Sequence, residues 1–213
     1  MHAAWADLLG LAGLGGVHVV DESPMAPPGW VSLIRMDDVL TVLIRDVDVD
    51  VDVFDGLVTI DLDVVRERLP FDDHLGPASL FFPSSDVAPG GDVELVGRDA
   101  LTPLFAACAP DDLDECGLET VESDVSVVRV DGEIAAACGW HTWPASIAHL
   151  GVLTHPGHRG HGLARVVATD AAARADAVGL LPQWRARIEA SKAVARAIGF
   201  VERGAQVRVR PIS

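Results

Sequence analysis

The chain has 213 residues, 49% of them hydrophobic, and carries 16 Lys and Arg against 32 Asp and Glu, a formal net charge of −16. That length and apolar content suit one large or two small domains with a real core and exclude general disorder. The charge argues against nucleic acid or an anionic membrane as partner, since both are bound chiefly by neutralising phosphates. No apolar run of about 18 residues and no basic leader is present, so the expectation is a cytoplasmic protein, monomer or homodimer.

Residues 3–14 read as a short helix weakened by Gly10 and Gly13. Residues 17–20, 30–35 and 39–44 read as strands separated by proline, glycine and aspartate, which makes a small α+β unit. Asp46, Asp48, Asp50 and Asp52 alternate with Val47, Val49, Val51 and Val53, a period of two that predicts a strand with one solvated acidic face. A calcium loop is the competing reading. Its spacing fails, because the sixth and twelfth positions counted from Asp46 are Val51 and Leu57, where glycine and an acidic ligand are required. Residues 57–62 read as a further strand and 64–69 as a helical turn stopped by Pro70. Residues 76–83 are apolar and bounded by prolines. Residues 84–91 have linker composition, which divides the chain into an acidic α+β module, 1–91, and a second module, 92–213.

The second module opens with a strand at 93–96, a helix at 99–109 and a helical piece at 112–116. Cys108, Cys116 and Cys138 are odd in number and lack CxxC spacing, so neither a disulfide framework nor a zinc site is expected. Asp131-Gly132 between apolar runs is a hairpin signal. Residues 147–154 form an apolar run of strand length, stopped by His155-Pro156-Gly157. A helix follows the next glycines, with Leu163, Val167, Ala171, Ala175 and Val178 on one stripe and Gly179 as its stop. Gly160 and Gly162 therefore sit at a helix N-terminus, where unpartnered N–H groups and the positive dipole end attract phosphate. A strand at 180–187, a helix at 190–200 and a strand at 205–210 complete the pattern. Residues 155–213 hold ten Lys and Arg against four Asp and Glu, a net +6 that leaves −22 for residues 1–154. The positive part contains the glycine loop.

Arg159, Gly162 and Ala164 give RxxGxA, and with the later Ala190-Ser191 and Gly199-Phe200 they make residues 92–213 resemble the GNAT (GCN5-related N-acetyltransferase) superfamily, in particular bacterial members with an extra N-terminal module. The resemblance implies an α+β three-layer fold, with a mixed central sheet flanked by helices, and acetyl-CoA as co-substrate. It implies that Arg159, Gly160, His161, Gly162, Leu163 and Ala164 cradle the pyrophosphate. The backbone of Val152, Leu153 and Thr154 would pair with pantetheine and polarise the thioester carbonyl, with Ser191 beside it. The acceptor would be the primary amine of a small molecule or a peptide, and the acidic N-terminal module would favour a cationic one by electrostatic attraction. His149 and His141 have pKa values suited to a general base, with Glu119, Glu122 or a water chain as alternatives. His155, His158 and His161 leave a glycine loop in differing directions, so no metal is expected. Two departures stand out. The family's tyrosine acid would fall at Ala195 in a chain without tyrosine, and its asparagine at Ile188. Water, or Ser191, would then protonate the thiolate. A second reading is a module that binds acyl-CoA or a protein partner without turnover.

Overall fold

A computed structural model describes residues 1–85, 87 and 91–212. Asp86 and residues 88–90 of the expected linker lie outside the described residues. Contacts divide the chain into two compact units, Met1–Leu80 with Glu202–Ser213, and Phe81–Val201. These are units of packing, whereas 1–91 and 92–213 are divisions of composition.

The first unit opens with α1 (His2–Leu9), which is shorter than 3–14 because Gly10 takes the left-handed C-cap at φ 75°. Strands β1 (Gly16–Val19), β2 (Trp30–Met36) and β3 (Val39–Arg45) follow, then α2 (Leu62–Arg68) and β4 (Phe71–Pro83). The last strand, β10 (Phe200–Pro211), returns to this unit by pairing Gly204–Val209 antiparallel with β2. The unit's strand order is β1-β3-β2-β10-β4. Alternation puts Val31, Leu33, Val42, Ile44, Val207 and Val209 on one face, where they bury against Val65 of α2 and against Phe54 and Phe71. Each such side chain contributes about 1.5–3 kcal/mol when fully buried.

Residues 46–53 do not form the expected strand. Asp46 is left-handed at φ 51°, and the Asp50 carboxylate accepts from the Asp52 N–H at 3.1 Å to start a 3-10 turn, Val51–Phe54. Short acidic side chains here bond their own backbone in competition with a ladder. The alternation survives as burial, because the four aspartates are exposed while Val47, Val49 and Val53 pack on the core. Nor do residues 57–62 form a strand. Asp61 accepts from the N–H groups of Asp63 and Val64 at 3.0 and 3.2 Å, which caps α2 and starts it at Leu62.

The second unit contains β5 (Glu94–Val96), α3 (Thr102–Ala107), α4 (Pro110–Cys116), β6 (Val125–Val130), β7 (Glu133–Trp143), β8 (Ile147–Thr154), α5 (Leu163–Ala177), β9 (Leu181–Ala186) and α6 (Glu189–Ala197). Its strand order is β9-β8-β7-β6-β5. The β8/β9 pair is parallel and the other pairs are antiparallel, so the sheet is mixed. Asp131 and Gly132, both at positive φ, turn the β6–β7 hairpin. Val167, Ala168, Ala171, Ala172 and Ala175 of α5 are fully buried against one face, on Ala136, Cys138, Leu150 and Trp184. Alanine at these positions lets the helix lie close to the strands. Val178 lies beyond the helix end and is exposed, outside the expected stripe. Leu101, Leu104, Cys116 and Leu118 cover Val125, Val127, Ala137 and Leu153 on the other face. Among the described residues, no helix is long and apolar enough to cross a membrane.

One feature of this sheet makes the site. β8 pairs with β9 only from Ile147↔Leu181 to His149↔Gln183. Beyond that point the two strands part.

Candidate active site

A cavity of about 900 Å³ lies along the parted strands. Leu150, Val152, Leu153 and Thr154 of β8 form one wall, and Trp184, Arg185 and Arg187 the other. Ser191 and Val194 of α6 and Asp112 and Glu115 of α4 close the sides. At Gly151 an added Cβ would collide with the Cys116 carbonyl, so glycine there is what lets the end of α4 lie directly on β8.

The loop end is made of backbone. Gly160 and Gly162 are left-handed, at φ 80° and 76°, and a Cβ on either would meet no atom within 4 Å. Gly162 is the N-cap of α5 and offers no side-chain cap. Among the described residues, the N–H groups of residues 160–164 donate to no protein acceptor. Five consecutive free donors at the positive end of a helix dipole, with open space over both glycines, fit a diphosphate. Arg159 reaches the Thr154 carbonyl with Nε at 3.3 Å and the Asp112 carboxylate with Nη2 at 2.7 Å. Of the residues expected to hold acyl-CoA, Val152, Leu153, Thr154, Arg159, Gly160, Gly162, Leu163, Ala164 and Ser191 all line this one cavity. The side chain of His161 turns to the His158 carbonyl instead, with Nδ1 at 3.3 Å.

The fork end is made of side chains. His141 and His149 stand opposite each other on β7 and β8, and Gln183 stands beside His149 on β9. The three therefore share one sheet face, next to the cavity rather than in its wall. His149 stacks on Trp143 with ring centroids 4.3 Å apart, and its Nδ1 donates to the Gln183 Oε1 at 2.8 Å. Burial, reinforced by the nearby Arg185 cation, pushes the His149 pKa down to about 3. His149 is therefore neutral near pH 7 and a weak base. His141 is more open; its Nδ1 lies 3.3 Å from the Thr120 carbonyl and 3.5 Å from the Glu122 carboxylate. The Ser191 hydroxyl accepts from the Trp184 indole N–H at 3.0 Å, which leaves its own proton free to donate. Cys116 lines the cavity, but burial pushes its thiol up to about 11, so it is no nucleophile at neutral pH.

Six charged residues of the cavity were not singled out from sequence: Asp111, Asp112, Glu115, Arg165, Arg185 and Arg187. Arg185 of β9 and Arg187, just past its end, alternate with Trp184 and Ala186, and period two is the signal for their common side. Asp112 and Glu115 are three apart on α4, hence neighbours on its surface. Glu115 accepts from Arg187 in a close ion pair. Ala195, where the resembling family has its tyrosine, is fully buried in the α5 core cluster. Ile188 is 57% exposed at the start of α6, which has no side-chain cap.

Residues 126–206 match the family model described as GNAT acetyltransferase. A GNAT-family protein of known structure from Novosphingobium aromaticivorans aligns at TM-score 0.51 and 19% identity, over 67% of this chain and 67% of its own. A GNAT-family acetyltransferase from Colwellia psychrerythraea aligns at TM-score 0.53 and 15% identity, over 73% of this chain and 63% of its own. At these identities the likeness is one of fold. No curated protein sequence matches this chain significantly.

Proposed function

With residues 126–206 belonging to the GNAT acetyltransferase family, we propose that this chain is an acyl-CoA-dependent N-acyltransferase, moving an acetyl group to the primary amine of a small cationic molecule. The observation that carries the reading is the run of unpartnered N–H groups, 160–164, opening onto a cavity that continues along an unpaired edge of β8. Bound acyl-CoA would supply the thioester. The loop N–H groups and Arg159 hold the diphosphate, and the β8 edge from Val152 to Thr154 pairs with the pantetheine amides as an added strand would. A β8 N–H polarises the thioester carbonyl. The net −22 of residues 1–154 raises the local concentration of a cationic acceptor. Three free cysteines suit a reducing, cytoplasmic setting.

Proton removal falls to His141 in this proposal. Its Nδ1–H is held by the Thr120 carbonyl, with the Glu122 carboxylate 3.5 Å away, which leaves Nε2 to take the amine proton as the C–N bond forms and the C–S bond breaks. His149, with a pKa of about 3, can accept a hydrogen bond but holds a proton poorly. Ser191 or water returns a proton to the thiolate. The alternative, a module that binds acyl-CoA without turnover, is favoured by one observation: Ala195 is buried where the family's acid would stand. Thiol release from acetyl-CoA across a panel of amines separates the two. The enzyme reading expects turnover that rises with pH near neutrality and falls about 10²-fold in His141→Ala, with acetyl-CoA affinity unchanged. Tight acetyl-CoA binding without thiol release from any amine selects the binding module.

A further inference from the structure

Cations and anions in the cavity wall do not pair off evenly. Arg159 is held by Asp112 and Arg187 by Glu115. Among the described residues, two arginines of the cavity have neither a side-chain hydrogen bond nor an ion pair: Arg165, at the loop end on α5, and Arg185, on β9. Glu115 is near enough to act on Arg185, but that carboxylate is already engaged by Arg187.

The place of Arg185 along β9 is what gives its free charge meaning. Gln183 is the last residue of β9 paired to β8, so Arg185 stands two residues past the fork, about 7 Å along the strand at ~3.3 Å per residue. The loop with the free N–H groups is at the other end of the β8 wall, beyond Thr154. A ligand anchored at the loop and running down β8 therefore ends its chain near Arg185. Two residues apart on a strand, Gln183 and Arg185 share a face, and the Gln183 Nε2 is buried without an acceptor. This face of β9 holds two donors in want of acceptors, opposite the face by which Trp184 packs on the α5 core. Arg185 is exposed to the cavity, and a planar, bidentate oxyanion is what its donor fork matches.

We infer that the substrates meeting at the fork include a carboxylate that pairs with Arg185, borne either by the acyl group of the donor or by the amine acceptor. This rests on the acyltransferase reading and replaces one of its two substrates: the acetyl donor by a mono-thioester of a dicarboxylic acid, or the simple cationic acceptor by an amino acid. A bare acetyl group on a simple diamine would leave Arg185 without a counter-ion.

Two arms of one binding experiment distinguish the sources. In the first, acetyl-CoA and succinyl-CoA are titrated calorimetrically into wild type, Arg185→Gln and Arg185→Lys. In the second, a panel of α-amino acids and their carboxamides is titrated in the presence of saturating CoA. Wild type is expected to prefer the carboxylate-bearing member in one arm by about ten- to a hundredfold, the range for a charge-assisted hydrogen bond. Arg185→Gln should abolish that preference and Arg185→Lys should keep part of it, with melting temperatures of the ligand-free variants confirming that all three fold. A preference for succinyl-CoA assigns the carboxylate to the donor; a preference for the amino acids assigns it to the acceptor. Acetyl-CoA binding with no preference in either arm, or a preference that survives in Arg185→Gln, overturns the inference and leaves the acyltransferase reading standing. Failure of every acyl-CoA to bind overturns both.

Discussion

The two ends of the cavity are built from different materials. At the loop end main-chain N–H groups face the open space, and Gly160, Gly162 and Ala164 keep bulk away from them, with Arg159 beside them. At the fork end the backbone is committed to the sheet, and the chemistry lies in His149, Gln183 and Arg185. A backbone site tolerates few residue types because it needs space and a left-handed conformation. A side-chain site can be rewritten one residue at a time without disturbing the strands that carry it. The loop end is therefore suited to a part of the ligand common to a whole family, and the fork end to the part that differs.

The sharpest way to break that contrast is Gly162→Asp. The new carboxylate stands at the α5 N-terminus, repels the diphosphate and fills open space. It also puts a side chain at φ 76°, which costs about 1 kcal/mol. Acetyl-CoA affinity by calorimetry should fall about 100-fold or more, while the ligand-free protein remains folded by circular dichroism. An unaltered affinity would remove the loop from the site.

A pH experiment addresses the fork end. An unfolded histidine takes a proton near 6.5, whereas folded His149 holds it off until about 3. The unfolded state thus binds more protons between those values, and stability conferred by neutral His149 is present above pH 6.5 and lost as pH falls toward 3. The melting temperature of wild type should drop on acidification through that window, and His149→Gln, uncharged throughout and able to pair with Gln183, should drop less. Identical acid limbs would assign the loss to other groups.

The smallest effect expected is at Asp112. Its pair with Arg159 is surface-exposed and worth about 0–1 kcal/mol. Asp112→Asn should therefore raise acetyl-CoA affinity about threefold, by freeing a cation that the diphosphate otherwise shares with a carboxylate. If affinity falls instead, Asp112 positions Arg159 rather than competing for it.

The same contrast explains how far the sequence could be read. The strand at 147–154, the loop and α5 were legible because the glycines, Pro156 and the apolar stripe each impose a conformation wherever they occur. The Asp46 to Val53 alternation misled about backbone yet not about exposure, since a period of two describes which side chains are wet and not whether a neighbouring strand exists to pair with. Arg185 and the ion pairs of Asp112 and Glu115 were hidden for another reason. Their meaning depends on α4 lying on Gly151 of β8, a contact between segments about 35 residues apart that no local pattern encodes. The short reach of β8–β9 pairing was equally invisible, because each segment reads as a strand along its whole length and neither marks where pairing ends.

One wall of the cavity is also an optical reporter. The chain has five tryptophans and no tyrosine, so its near-ultraviolet emission comes from indole alone. Trp184 is 2% exposed, forms part of the cavity wall and has its N–H fixed on Ser191. Trp143 stacks on His149 at the fork. An adenine-bearing or thioester-bearing molecule entering the cavity changes the polarity around the first indole, and protonation of the imidazole quenches the second. Occupancy and the charge state of the fork can thus be followed in the unlabelled protein, with Trp184→Phe separating the two signals.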